Sequence, residues 1–278
     1  MTNLKDQART LHALHTPGRP LVLPNAWDAA SARIVAEAGA AAVATTSAGV
    51  AWDLGAADGD HLTRDRAIRA VQRIVAAVDV PVTADIESGY GAGPDEVAET
   101  VRAVLAAGAV GVNIEDALHE GDTPLRAVPD QAERIAAARA AADAVGVPLF
   151  INARIDTYLR GVGAEDARVA LTLERAAAFR AAGADGIFVP GVVDPDRVKE
   201  LVAGIDGPLN VLVGPGAPPV AELAALGVAR ISAGSSIAQA AHALVRRAAR
   251  ELLAAGGYQQ LTDGLDYGEL NSLLGEVR

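Results

Sequence analysis

The chain has 278 residues, of which 51% are hydrophobic and only 3% aromatic, and a formal net charge of -11. A core of that make-up is built from Val, Leu, Ile and Ala, as in a parallel sheet wrapped in Ala-rich helices. The acidic balance excludes a general nucleic-acid or anionic-membrane binder, and the absence of cysteine excludes disulfides, a thiolate nucleophile and a thiol proton donor.

The polar opening, residues 1–10, lacks the apolar core of a secretory signal, and no long uninterrupted apolar stretch suggests a membrane span; a cytoplasmic location is expected. Residues 3–15 read as a leading helix stopped by Thr16-Pro17-Gly18, within a leading segment 1–20. A short strand, Leu21-Val22-Leu23-Pro24-Asn25, precedes a helix capped by Gly39.

A weak internal repeat follows. Residues 36–45, 106–115, 181–190 and 225–234 each end a helix with Gly and then begin a buried strand. Between them lie strands introduced by Pro81, Pro148 and Pro208, a residue tolerated where a strand starts because no ladder hydrogen bond is lost there. With the first strand this makes eight, alternating with helical stretches near 28–38, 63–78, 94–107, 129–145, 164–182, 195–203, 217–225 and 235–255. The pattern predicts a single (β/α)8 TIM barrel domain over residues 1–278, with a doubly wound open sheet as the alternative. Residues 256–278 form a C-terminal extension whose spaced Leu and Tyr suggest docking onto the barrel or onto a neighbouring subunit.

Barrel chemistry sits at the C-terminal ends of the strands. Read there, the chain offers Asn25 to Asp28, Thr45 to Gly49, Asp85 with Glu87, Asn113 with Glu115 and Asp116, Asn152 with Arg154 and Asp156, Pro190, Asn210 and Ser232. Acids with one Arg suit a hard divalent cation holding a carboxylate-bearing substrate. Alone, Asp85 and Glu87 read more simply as loop solvation or as a cap for the helix starting at Pro94. The further acids at the next strand end shift the balance towards a metal, because uncompensated carboxylates converging on one mouth repel one another. Arg154 has the simpler alternative of a counter-ion.

The glycines at 89, 91 and 93 lack the Lys-Ser/Thr ending of a phosphate loop and read as a turn into a helix with Pro94 at its first position. None of the five histidines falls on a predicted strand end, which argues against a His-based metal centre or a Ser-His-Asp triad; His61 and His119 lie in mouth loops as candidate proton carriers. The loop from 115 to 129 is long and polar, a lid or a plain surface excursion, with His119, Glu120 and Arg126 as its reactive members.

Asn25-Ala-Trp-Asp28, Thr45-Thr-Ser-Ala-Gly49, Leu54-Gly-Ala-Ala-Asp58, Ala84-Asp-Ile-Glu-Ser-Gly-Tyr-Gly91, Gly111-Val-Asn-Ile-Glu-Asp116 and Ile151-Asn-Ala-Arg-Ile-Asp156 together resemble the phosphoenolpyruvate mutase/isocitrate lyase superfamily. The resemblance implies a (β/α)8 barrel whose last helix is swapped between subunits of a homodimer or homotetramer. It implies Asp85 as the main ligand of Mg2+, or of Mn2+ in its place, with Glu87, Glu115 and Asp58 acting directly or through bound waters. Thr46, Ser47 and Ala48 would present hydroxyl and backbone N–H groups to a substrate carboxylate, and Arg154 would meet its other oxygens. Arg154, Glu115 and His119 stand as catalytic candidates, with Asn25, Asp85 and Asn210 as further substrate contacts. In the family the metal chelates a 2-oxo carboxylate and stabilises the enolate formed when a C–C or P–C bond breaks.

Two departures narrow the expectation. The family's isocitrate and methylisocitrate lyases carry a Lys-Lys-Cys-Gly-His lid, where this chain has Ala117-Leu-His-Glu-Gly-Asp-Thr-Pro-Leu-Arg126. Its phosphonate enzymes use a Lys-containing lid and a His near the end of the sixth strand, where this chain has Phe188-Val-Pro-Gly191. The expected function is Mg2+-dependent C–C cleavage of a small 2-oxo or 2-hydroxy di- or tricarboxylate through a pyruvate-type enolate, oxaloacetate decarboxylase-like or methylisocitrate lyase-like. The alternatives are a phosphonopyruvate-type P–C enzyme and a non-catalytic 2-oxo acid binding protein.

Overall fold

The computed structural model describes residues 3–275. Its strands are β1 (Leu21–Leu23), β2 (Val43–Ala44), β3 (Val82–Asp85), β4 (Gly111–Glu115), β5 (Phe150–Arg154), β6 (Gly186–Val189), β7 (Leu209–Leu212) and β8 (Arg230–Ser232). All pair in parallel, β1 with β8 and each remaining strand with its sequence neighbour down to β2. The ring closes at Ala26, whose N–H donates to the Ala44 carbonyl at 2.8 Å and whose carbonyl accepts from Thr46 N–H at 3.0 Å. That closure excludes the open doubly wound sheet and makes the architecture a TIM-type barrel.

The helices are α1 (Leu4–Leu14), α2 (Ala29–Glu37), α3 (Ser47–Asp53), α4 (Arg64–Ala77), α5 (Pro94–Ala107), α6 (Val128–Val145), α7 (Arg168–Ala181), α8 (Pro195–Gly204), α9 (Val220–Ala225), α10 (Ser236–Ala255) and α11 (Tyr267–Gly275). Local chemistry sets their ends. α5 starts at Pro94 with Asp95 and Glu96 in its first turn, and the Glu96 carboxylate accepts from Gly93 N–H at 2.8 Å. It stops at Gly108, whose φ of +95° is left-handed and therefore suits a residue without a Cβ. Its inner face buries Val97, Val101 and Val104, each removed from water to the extent that contributes about 1.5–3 kcal/mol.

α1 covers the N-terminal end of the barrel. Ala8 and Leu11 are fully buried, and the His15 ring stacks on Phe150 at the start of β5 with centroids 3.8 Å apart. Gly111 permits this approach, because a Cβ there would lie 2.7 Å from Leu11 Cδ2 and 2.8 Å from Thr83 Oγ1. Above this plug the barrel interior holds a polar band. Asn152 Nδ2 donates to Asn113 Oδ1 at 2.8 Å and to Asn210 Oδ1 at 3.0 Å, and Arg230 Nη2 donates to Asn113 Oδ1 at 3.2 Å.

The eighth helix breaks the pattern. α10 runs for 20 residues, yet Ala238 is its only fully buried residue, while Leu244, Val245, Leu252 and Leu253 are exposed. α11 then returns to α2, where Arg33 Nη2 donates to the Leu273 carbonyl at 2.7 Å. Among the described residues no helix is long and apolar enough to cross a membrane.

Candidate active site

β3 delivers Asp85 to the C-terminal mouth. Asp85 N–H donates to Thr45 Oγ1 at 2.8 Å, and Ser47 Oγ donates to Asp85 Oδ2 at 3.0 Å. The other carboxylate oxygen, Oδ1, meets only a long 3.4 Å contact from Glu87 N–H. Burial pushes Asp85 up to about 6, opposed by Arg154 and reinforced by the charges of Glu115 and Asp58.

Glu87 is held on both oxygens. Oε2 accepts from Gly59 N–H at 3.0 Å and from Asp60 N–H, while Oε1 accepts from the Tyr90 hydroxyl at 3.1 Å. It therefore anchors the loop that carries Asp58. Burial raises its pKa to about 7, against the opposing Asp60 N–H. Asp60, Glu87 and Tyr90 all adopt left-handed backbone, with φ of +60°, +50° and +52°. Side chains disfavour that region by roughly 1–3 kcal/mol each, and their clustering marks a loop whose shape is fixed by its surroundings.

The ends of β4 and β5 form an ion-pair chain. Arg154 Nη1 lies 2.7 Å from Glu115 Oε2, and its Nε and Nη2 donate to the two oxygens of Asp156 at 2.7 and 2.9 Å. Asp116 accepts from Asp156 N–H at 2.9 Å and from Arg175 at 3.0 Å. Burial alone would raise Glu115, but Arg154 and His119 overcome it and hold the carboxyl below its usual range. His119 Nε2 is 2.9 Å from Glu115 Oε1, and that hydrogen bond raises the imidazole. Because Arg160 Nη2 donates to His119 Nδ1 at 3.1 Å, the neutral ring carries its proton on Nε2.

Thr46, Ser47 and Ala48 lie at the start of α3, beside Asp85. The first bond into the helix runs from Val50 N–H to the Thr46 carbonyl, which leaves the buried N–H groups of Ala48 and Gly49 without an acceptor. Gly49 seats α3 tightly, since a Cβ there would lie 2.7 Å from Trp27 Cβ. Asn25 and Asn210 are engaged by the scaffold. Asn25 ties Thr45 to Gly234 across the barrel seam, and Asn210 joins Asn152, Ser232 and two backbone carbonyls in the interior band. Asp58 is exposed at the rim, and His61 is exposed in the same loop. The loop after β4 is a small hairpin, with Ala117 bridging Leu125 and Leu118 N–H donating to the Pro124 carbonyl at 3.0 Å.

Among the described residues no three His, Cys, Asp or Glu side chains converge into a cage. The donor set nevertheless fits Mg2+, which prefers oxygen and is held by one or two carboxylates while keeping several waters. Asp85 has the open oxygen; Glu87 and Glu115, fully hydrogen-bonded already, are suited to holding bound water. A buried carboxylate that resists ionisation is one whose charge a cation would balance.

Three residues escaped the sequence reading. Asp60 fastens Glu87 from a loop with no motif of its own, and Tyr90, although inside the Ala84–Gly91 motif, carries no signal that its hydroxyl turns back onto Glu87. Arg160 had a visible signal, a second cation six residues beyond Arg154 in the same mouth loop.

Residues 11–253 match the family model described as phosphoenolpyruvate phosphomutase. The chain is 40% identical over 271 residues to an uncharacterized protein of Mycobacterium tuberculosis H37Rv, covering 95% of this chain and 96% of that one. It is 30% identical over 213 residues to 2-methylisocitrate lyase of Escherichia coli K12, covering 71% and 70%. Among solved structures, oxaloacetate acetylhydrolase in complex with the inhibitor 3,3-difluorooxalacetate superposes with a TM-score of 0.85 at 25% identity, covering 98% of this chain and 94% of that one.

Proposed function

Because the chain belongs to the phosphoenolpyruvate mutase/isocitrate lyase superfamily, we propose that it is a divalent-cation-dependent enzyme that cleaves a C–C bond in a small 2-oxo or 2-hydroxy dicarboxylate through a pyruvate-type enolate. The observation that carries this reading is the juxtaposition of Asp85, with one carboxylate oxygen scarcely engaged, and the unpaired N–H groups at the start of α3. When bound, Mg2+ or Mn2+ supplies Lewis-acid charge to the 2-oxo carboxylate end of the substrate.

The chain's own residues do the rest. Thr45 Oγ1 holds the Asp85 backbone N–H and Ser47 holds the Asp85 carboxylate, while the N–H groups of Ala48 and Gly49 are left for a substrate carboxylate. Glu115 and Asp156 set the guanidinium plane of Arg154, whose remaining N–H groups face the cavity it shares with Asp58 and His119. His119 bonds Glu115 through Nε2 at that cavity wall, and its protonated form, which Glu115 favours, can give one proton to carbon once the bond has broken and return to the neutral ring. Asn25 and Asn210, expected as substrate contacts, hold the frame beneath the mouth through their own hydrogen bonds, and remain candidates for that contact.

A substrate panel tests the reading: oxaloacetate, isocitrate, methylisocitrate, dimethylmalate and phosphonopyruvate, each with and without Mg2+. The expected result is metal-dependent product release from a C–C substrate, oxaloacetate foremost, above the rate with free Mg2+. The family model's description favours a P–C reaction as the second reading; turnover of phosphonopyruvate alone would establish it. Silence on all five would overturn the enzyme reading.

We further propose a homodimer or homotetramer assembled through α10. Leu253 is 87% exposed and Val245 67%, an apolar exposure that a monomer in water has no reason to keep. Light scattering is expected to give a multiple of the protomer mass, reduced in Val245→Glu/Leu253→Glu. A monomeric wild type at micromolar concentration would refute the assembly.

A further inference from the structure

We infer that Arg160 selects the substrate by receiving a second, distal carboxylate; the inference rests on the 2-oxo acid reading above and deepens it. Arg160 lines a cavity of about 350 Å³ together with Asp58, His119, Arg154, Asp156 and Leu159. The two arginines of this cavity differ in what they are paired with. Arg154 is engaged by the carboxylates of both Glu115 and Asp156, so its charge is already balanced from within the protein. Arg160 bonds only to His119 Nδ1 at 3.1 Å and the Leu118 carbonyl at 3.4 Å, and it acts on Glu115 and Asp156 only through space. Among the described residues no carboxylate forms an ion pair with it, although the mouth is crowded with acids.

Its backbone is fixed. Arg160 N–H donates to the Asp156 carbonyl at 2.9 Å, Gly161 N–H to Tyr158 at 3.1 Å and Val162 N–H to Thr157 at 2.8 Å, a hydrogen-bonded turn directly following β5. The charge is therefore anchored to the rigid barrel while the side chain reaches across to the lid hairpin. Both of these bonds leave from Nη2, so the guanidinium keeps its Nε and Nη1 donors in a planar fork that matches a carboxylate. Arg154 and Asp58, which line this cavity, also act on the Asp85 carboxyl, so a substrate held by its 2-oxo carboxylate end at Asp85 would direct its far carboxylate towards Arg160. A three-carbon 2-oxo monocarboxylate has no group to place there. The ligand class is thus a dicarboxylate, and selection against monocarboxylates follows from leaving Arg160 unpaired.

Two probes separate the ends of the site. Oxalate mimics only the 2-oxo carboxylate end, whereas 3,3-difluorooxalacetate adds a distal carboxylate and has no C3 proton to lose. Calorimetric titration of the Mg2+-loaded full chain is expected to show Arg160→Gln weakening 3,3-difluorooxalacetate by about 10- to 100-fold while oxalate changes less than about twofold. Arg160→Lys should restore part of the loss, and the exposed position keeps both variants folded. Equal losses for the two ligands, or no loss for either, with oxalate bound normally by the wild type, would overturn the inference and leave the proposed function standing. Failure of the wild type to bind oxalate in the presence of Mg2+ would overturn both.

Discussion

Arg154→Gln is expected to lower the melting temperature by about 10 °C and Mg2+-dependent turnover by at least about 100-fold. The stability loss comes from the two partners left behind. Glu115 and Asp156 are 4% and 1% exposed in their side chains, and removing the guanidinium between them leaves two buried, facing carboxylates. Breaking a buried pair in this way costs about 3–5 kcal/mol, and for a chain of this size each kcal/mol shifts the midpoint by roughly 2–4 °C. Arg154→Lys should rescue little, because an ammonium cannot bridge Glu115 while donating to both oxygens of Asp156. In Arg154→Gln/Glu115→Gln much of the stability should return without the activity, since one surplus charge is gone while the substrate donor is still missing. Thermal denaturation and kinetics on the three variants check this; full activity in Arg154→Gln would reduce the residue to a counter-ion.

Asp85→Asn is expected to separate stability from function in the opposite sense. The carboxyl is raised from its ordinary value near 4 to about 6 in the folded protein. A group whose folded value is raised weakens the fold as pH climbs through that window, and above about 6 the whole cost, on the order of 3 kcal/mol, is present. At pH 7.5 the metal-free variant should therefore be at least as stable as the wild type. Mg2+ should raise the melting temperature of the wild type and leave the variant unmoved, because a ligand stabilises only the state that binds it. Turnover should fall by at least about 1,000-fold, the loss expected when the main ligand of an enolate-stabilising cation is removed. Equal Mg2+-dependent stabilisation in both proteins would place the cation elsewhere.

The barrel was legible because its punctuation is local. Gly108 and Gly146 close α5 and α6, Pro94 opens α5, and Pro81, Pro148 and Pro208 stand just ahead of β3, β5 and β7. The expected helix 94–107 coincides with Pro94–Ala107, and the expected helix 164–182 divides into a single tight turn, Glu165–Ala167, and α7. α3 was not foreseen. Its residues 47–51 are small and all buried, so no apolar face alternates with a polar one, and its helical shape is imposed by packing against Trp27 and Thr46. Strand-end reading located the acids of the mouth, but it could not tell which of their oxygens are free. That depends on Gly59, Asp60 and Arg160, which arrive from other loops through long-range contacts, and on Tyr90, which turns back onto Glu87 within its own loop through left-handed backbone.

The central claim is that this mouth stabilises a pyruvate-type enolate with a cation held at Asp85. It is tested most directly by proton exchange at the methyl group of pyruvate in D2O, supplied in large excess to offset its missing distal carboxylate and followed by NMR, since exchange requires the enolate and no knowledge of the natural substrate. The wild type with Mg2+ is predicted to accelerate loss of the methyl proton signal well beyond Mg2+ alone, and EDTA or Asp85→Asn to abolish the acceleration. Exchange no faster than with Mg2+ alone, or equally fast in Asp85→Asn, would contradict the account.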